Sequence, residues 1–115
     1  MIKNIWNAIK LYCPRHDEPI PLEIQSGSKV LFYACPKYNP ENRERHEIAC
    51  RNFIYLNEYE KMINHISDLL EEADRNDEVA DLTNHKWSDN GIDFEVFEYS
   101  ENDIKIKMIN RKALK

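Results

Sequence analysis

The sequence predicts an α+β fold, and three observations predict it. Cys13, Cys35 and Cys50 each sit beside a short β-like run. Apolar residues recur with helical spacing over 57–75, and apolar and charged residues alternate with strand spacing through the last third of the chain. A length of 115 residues suits one domain spanning 1–115.

At the N-terminus, Ile2, Ile5, Trp6 and Ile9 have helical spacing and predict a short helix. Lys10-Leu11-Tyr12, the run Lys29 to Ala34, and Asn52-Phe53-Ile54-Tyr55 then read as short strands of a β module over 11–56. Over 57–75, the positions of Tyr59, Met62, Ile63, Ile66, Leu69, Leu70 and Ala73 make the apolar stripe of an amphipathic helix. Asn57 is placed to be its N-cap, with Glu60 as the capping-box partner. A strand near 83–87, the Ser88-Asp89-Asn90-Gly91 turn, a strand over 93–99, the Ser100-Glu101-Asn102-Asp103 turn and a strand from Ile104 complete an antiparallel meander over 83–110. Glu95 and Glu98 can sit across from Lys105 and Lys107 and so help set the pairing.

The net charge of −5 averages unlike parts. Residues 1–56 carry 8 basic and 6 acidic groups, residues 57–103 carry 3 and 15, and residues 104–115 carry 5 and none. The middle segment, at −12, repels nucleic acid and attracts a basic partner. No stretch approaches the roughly 20 apolar residues of a membrane-spanning helix, and the start lacks the apolar region and cleavage site of a secretory signal. A cytoplasmic, reducing compartment is therefore expected, where three cysteines suit a metal better than disulfides.

Cys13-Pro14-Arg15-His16 has the gap of a metal knuckle, Cys35-Pro36 opens a second turn, and Cys50 follows. Cys13, His16, Cys35 and Cys50 make a Cys3His set, enough for a closed tetrahedral zinc site, which is structural because no position is left for water or substrate. His46, four residues before Cys50, could take the place of His16; the tighter Cys-x-x-His turn favours His16. His65 and His85 read as exposed groups or as supports for the ligands.

Leu11-Tyr12-Cys13-Pro14-Arg15-His16, the run Leu31 to Tyr38, and Cys50-Arg51-Asn52 resemble the zinc ribbon at the tail of bacterial type I topoisomerases and related nuclease-associated modules. The resemblance covers 11–55. It departs from the family in having His16 as second ligand, Asp17 where a glycine is common, and about nine extra residues between Cys35 and Cys50. It implies a zinc-ribbon β module.

Enzyme motifs fail. With glycine only at 27 and 91 there is no Walker loop or dinucleotide fingerprint, and there is no Gly-x-Ser-x-Gly elbow. His46 to Cys50 mimics a metalloprotease spacing, but Cys50 is better explained as a structural ligand; His16-Asp17-Glu18 matches the His-x-Glu of zinc deaminases, but the required Pro-Cys-x-x-Cys is absent. A nucleic-acid module would use Arg15, Lys37, Arg43, Arg45 and Arg51 with Tyr33, Tyr38, Phe53 and Tyr55. A non-enzymatic protein-binding module fits the charge better, with Glu58, Asp68, Glu71, Glu72, Glu95 and Glu98 as contacts for a basic partner. The ribbon followed by an acidic helix and strands also looks similar to type II-A anti-CRISPR metalloproteins carried by mobile elements of Gram-positive bacteria. That resemblance implies stoichiometric binding to a type II CRISPR effector nuclease, whose heteroduplex lies in a positively charged channel, and a block of DNA loading or cleavage. The alternative is a zinc-ribbon nucleic-acid-binding accessory protein of a mobile element.

Overall fold

The computed structural model describes residues 5–26, 31–36, 50–100 and 102–113. The fold is α+β, with elements in the order α1 (Ile5–Ala8), β1 (Ile9–Cys13), β2 (Ile20–Pro21), β3 (Glu23–Ser26), β4 (Leu31–Ala34), β5 (Phe53–Tyr55), α2 (Leu56–Arg75), β6 (Lys86–Asp89), β7 (Ile92–Ser100) and β8 (Asp103–Asn110). The strands form a five-stranded sheet in the order β2-β1-β8-β7-β6 and a three-stranded sheet in the order β3-β4-β5.

The C-terminal meander forms in the expected register. Asn90 and Gly91 both have positive φ, 51° and 81°, the requirement of a tight type I′ hairpin between β6 and β7. Glu95 pairs with Lys107 and Glu98 with Lys105, as the charges suggested. A bulge falls at Phe97, between those two pairs. The first meander strand starts later than 83, at Lys86. Asp81 Oδ1 accepts bonds from the Thr83 N–H (3.0 Å) and hydroxyl (2.7 Å), and Asn84 has φ 69°, so 81–84 is a turn.

The main departure from expectation lies in the first half. The 11–56 segment keeps only β3, β4 and β5 in a sheet of its own, and β1 with β2 joins the C-terminal strands. β1 leaves it and pairs in parallel with β8, setting Ile9 beside Ile104 and Leu11 beside Ile106. The physical reason is that β8 would otherwise present an unpaired edge, while the buried Ile9, Leu11 and Cys13 face of β1 needs a core. The N-terminal helix is correspondingly a single turn, and Ile9 belongs to the strand; Ile2 lies outside the described residues.

α2 takes the stretch expected to be helical, plus Leu56. Its cap differs. The chain passes directly from β5 into the helix, so Tyr55 is the N-cap, and it makes no side-chain cap bond. Asn57 falls inside the first turn, and Glu58 there opposes the helix dipole in place of the expected capping box. At the other end Glu78 N–H bonds to Ala73 O (2.9 Å) and Asp77 N–H to Asp74 O (3.2 Å). Asp77, at φ 53°, occupies the left-handed position of this Schellman closure.

Tyr59, Met62, Ile63 and Ile66 of α2 pack with Ile92, Phe94, Val96, Ile104, Ile106 and Met108 from one face of the large sheet, and with Ile9, Leu11 and Ile54. A helix stripe and the apolar face of a strand alternation thus bury each other. No helix among the described residues is long and apolar enough to cross a membrane.

Met62, 1% exposed in this core, is expected to cost about 2–5 kcal/mol when changed to alanine, read by urea denaturation. Gly91→Ala should cost about 1 kcal/mol or more, because the residue has φ 81° and an added Cβ would lie 2.9 Å from Lys112 Cγ.

Candidate metal centre

Three chain segments deliver the cluster. Strand alternation puts Cys13 on the buried side of β1, at its last residue, and the turn that follows brings round His16. Cys35 directly follows β4, and its N–H bonds to Asn52 O at 3.0 Å. Cys50 lies three residues before β5. The ligating atoms of Cys13, His16, Cys35 and Cys50 all lie within 4.8 Å of one another, and this quartet could hold a metal ion.

One spacing matches that use and one is tighter. Cys13 Sγ and Cys50 Sγ are 3.6 Å apart, and His16 Nε2 is 3.1 Å from Cys35 Sγ. Around a tetrahedral ion with bonds of about 2.3 Å to sulfur and about 2.1 Å to nitrogen, edges of roughly 3.6–3.8 Å are expected, which the Cys13–Cys50 pair meets; the His16–Cys35 pair, at hydrogen-bond distance, would open by about 0.5 Å to admit the ion. The three cysteines are 0–4% exposed and no disulfide joins them. Burial pushes the Cys13 thiol above its usual range, outweighing the Asn52 bond that favours the thiolate, and the Cys50 thiol pushes the same way as burial. A bound divalent ion supplies the opposite bias, holding coordinated thiols as thiolates.

Two supports were invisible in the sequence. Asn52, fully buried, donates from Nδ2 to Cys13 Sγ (3.3 Å) and to Met108 O (2.7 Å), and its Oδ1 accepts from Asn110 N–H (2.8 Å). Asn110 answers by donating from Nδ2 to Phe53 O at 2.7 Å. Arg15 Nη1 lies 3.7 Å from Cys50 Sγ. Three thiolates around a divalent ion leave one negative charge, which this guanidinium faces. The only hint of Asn52 was a lone amide between Cys50 and an apolar run.

His46, the alternative ligand, lies outside the described residues, as do Lys37, Tyr38, Arg43 and Arg45. His65 and His85 are neither exposed nor beside the cluster. Both are partly buried, and their Nε2 atoms are 3.0 Å apart. Among the residues expected to meet nucleic acid, Tyr33 stacks on Tyr59 at 4.1 Å, and Phe53 packs edge-on against Phe32 and Tyr55. Arg51 and Tyr55 are exposed.

The six acidic residues do not form one surface. Asp68, Glu71 and Glu72 are exposed on α2. Glu58 is turned inward, with a side chain 14% exposed and Oε2 buried 4.0 Å from Lys112 Nζ, beyond hydrogen-bond distance. Glu95 and Glu98 lie on the face of the large sheet opposite α2. There they already face lysines, Glu98 with Lys105 at 2.7 Å and Glu95 with Lys86 at 3.8 Å.

The chain matches no protein family, no curated protein and no solved structure.

Cys35→Ser is expected to abolish stoichiometric metal and cooperative thermal unfolding, measured by elemental analysis and circular dichroism. Full metal content in a folded Cys35→Ser protein would remove Cys35 from the ligand set. Asn52→Ala should keep the ligands but lower stability by about 1–3 kcal/mol, since it strands the buried Asn110 N–H and Met108 carbonyl.

Proposed function

We propose that the chain is a zinc-stapled binding protein that acts stoichiometrically, without chemistry of its own, by laying the acidic face of α2 on a basic protein surface. Zinc is the ion that a buried, thiolate-rich tetrahedral set selects over magnesium or calcium. Its role is to hold the fold, since four protein ligands leave no open position. Reduced thiols fit a cytoplasmic setting.

The observation that carries the reading is the placement of charge. Residues 57–81 hold nine acidic groups against two basic ones, and from Asp68 to Glu78 every acidic side chain is exposed. On the sheet, Asp93, Glu95, Glu98 and Asp103 face Arg111, Lys86 and Lys105, so the uncompensated charge is concentrated on the helix and the loop after it. Such a field speeds association with a basic partner and makes it sensitive to salt. Val79, 97% exposed within that acidic loop, adds an apolar contact at its tip. The partner we propose is a type II CRISPR effector nuclease, whose positively charged nucleic-acid channel offers the complementary surface, with DNA loading or cleavage blocked as a result.

Paired reversal, Glu71→Lys with Glu72→Lys, should weaken binding to a purified type II effector about tenfold or more at low salt, with less effect at high salt. Unchanged affinity at every salt concentration would defeat the acidic-face reading. Tight, salt-sensitive binding of single-stranded DNA by the chain alone would favour a nucleic-acid accessory role instead.

A further inference from the structure

The geometry points to a second metal site, built by His65 and His85 and suited to a tetragonal divalent ion of the nickel or copper class. It is separate from the Cys3His cluster and does not depend on the partner proposed above.

Both residues sit on held backbone, which leaves their rings free to turn about the side-chain bonds. His65 sits near the middle of α2. His85 is fixed at the entry to β6 by two backbone bonds, its N–H to Leu82 O and its carbonyl from Val96 N–H, each 2.9 Å. The Trp87 indole stacks on His65 at 4.3 Å and lies 5.2 Å from His85, and Trp87 in turn stacks on Phe94 at 4.9 Å. Two imidazoles from distant parts of the chain are thus packed against one aromatic wall.

The Nε2 atoms are 3.0 Å apart. Two nitrogens at neighbouring positions of an octahedral or square-planar ion, each bonded at about 2.1 Å, are separated by roughly 3.0 Å, so the pair can turn onto such an ion without moving apart. Imidazole nitrogen with oxygen donors in a tetragonal field is the set that nickel(II) and copper(II) take. Oxygen donors are at hand. His65 lines an open cavity of about 460 Å³ shared with Asp68, Ser88 and Asp89, and both carboxylates act electrostatically on His65.

The cavity does not offer a closed cage. Among the described residues only the Cys3His quartet brings three or more such groups together. Water and the rim carboxylates would fill the remaining positions, which makes the ion exchangeable. Without metal, the ring centroids are 5.3 Å apart and the planes 18° from parallel, the arrangement of an N–H···N hydrogen bond. Binding requires the His65 ring to tip at the cavity wall, the His85 ring, which does not itself line the cavity, to turn toward the same point, and the donor ring to move its proton from Nε2 to Nδ1. Each imidazole stays neutral and no proton is lost. The ion would then clamp α2 to the start of β6.

The test is equilibrium dialysis of the zinc-loaded chain against sub-millimolar Ni²⁺, with nickel and zinc both measured. One nickel per chain is expected with zinc retained, together with quenching of Trp87 fluorescence. His65→Gln and His85→Gln should each abolish nickel uptake and leave zinc and circular dichroism unchanged. In the unaltered protein, Ni²⁺ should broaden the ring-proton resonances of both histidines first, a readout that needs no variant. Absent nickel uptake, uptake unaffected by folded His85→Gln, or uptake matched by loss of zinc would each overturn the site. The last outcome would place nickel in the Cys3His cluster. Zinc content below one per chain at the outset would count against the Cys3His reading alone.

Discussion

Asn52 donates from one amide nitrogen to a cysteine sulfur and to a β8 carbonyl, while its amide oxygen takes the Asn110 N–H. Its backbone oxygen takes the Cys35 N–H. A fully buried amide left without partners is costly, so this position tolerates one arrangement of its neighbours. That arrangement brings together the end of β1, the residue after β4, the approach to β5 and the end of β8. Both sheets and the metal ligands therefore meet at a single side chain.

The same junction explains how a small chain holds two sheets. The hydrophobic core lies mainly between α2 and the five-stranded sheet, with Ile54 of β5 inside it and Tyr33 of β4 packed against it. An ion held among Cys13, Cys35 and Cys50 would tie the three-stranded sheet to β1, and the Asn52–Asn110 exchange ties it to β8. Burial supplies most of the gross stabilisation of the large sheet, whereas satisfied polar groups set where the small sheet sits. α2 is then presented as a rigid rod with its acidic face outward and its apolar stripe spent on the core.

Charge separates with the layers. The outer sheet face pairs its acids with Lys86, Lys105 and Arg111, and Lys107 lies over the Phe97 ring at 5.1 Å. The helix has no comparable supply of cations, with only Lys61 and Arg75 over its length. The −12 of the middle segment is therefore divided between a balanced surface and an unbalanced one.

Local patterns were readable without coordinates. The helical stripe, the Asn90-Gly91 turn and the cross-strand Glu–Lys pairing depend on neighbours a few residues apart, or on strands joined by a tight turn. The Cys3His set was also legible, because chemistry left few other uses for three cysteines and a Cys-x-x-His turn. Contacts between distant segments were decided only by the tertiary structure. β1 finds β8 across roughly ninety-five residues, Asn52 finds its β8 partners 56 and 58 residues away, and His65 meets His85 from a separate element. No local propensity encodes these meetings. They follow from which edges and polar groups remain unpaired once the core has closed, and that is a property of the folded whole.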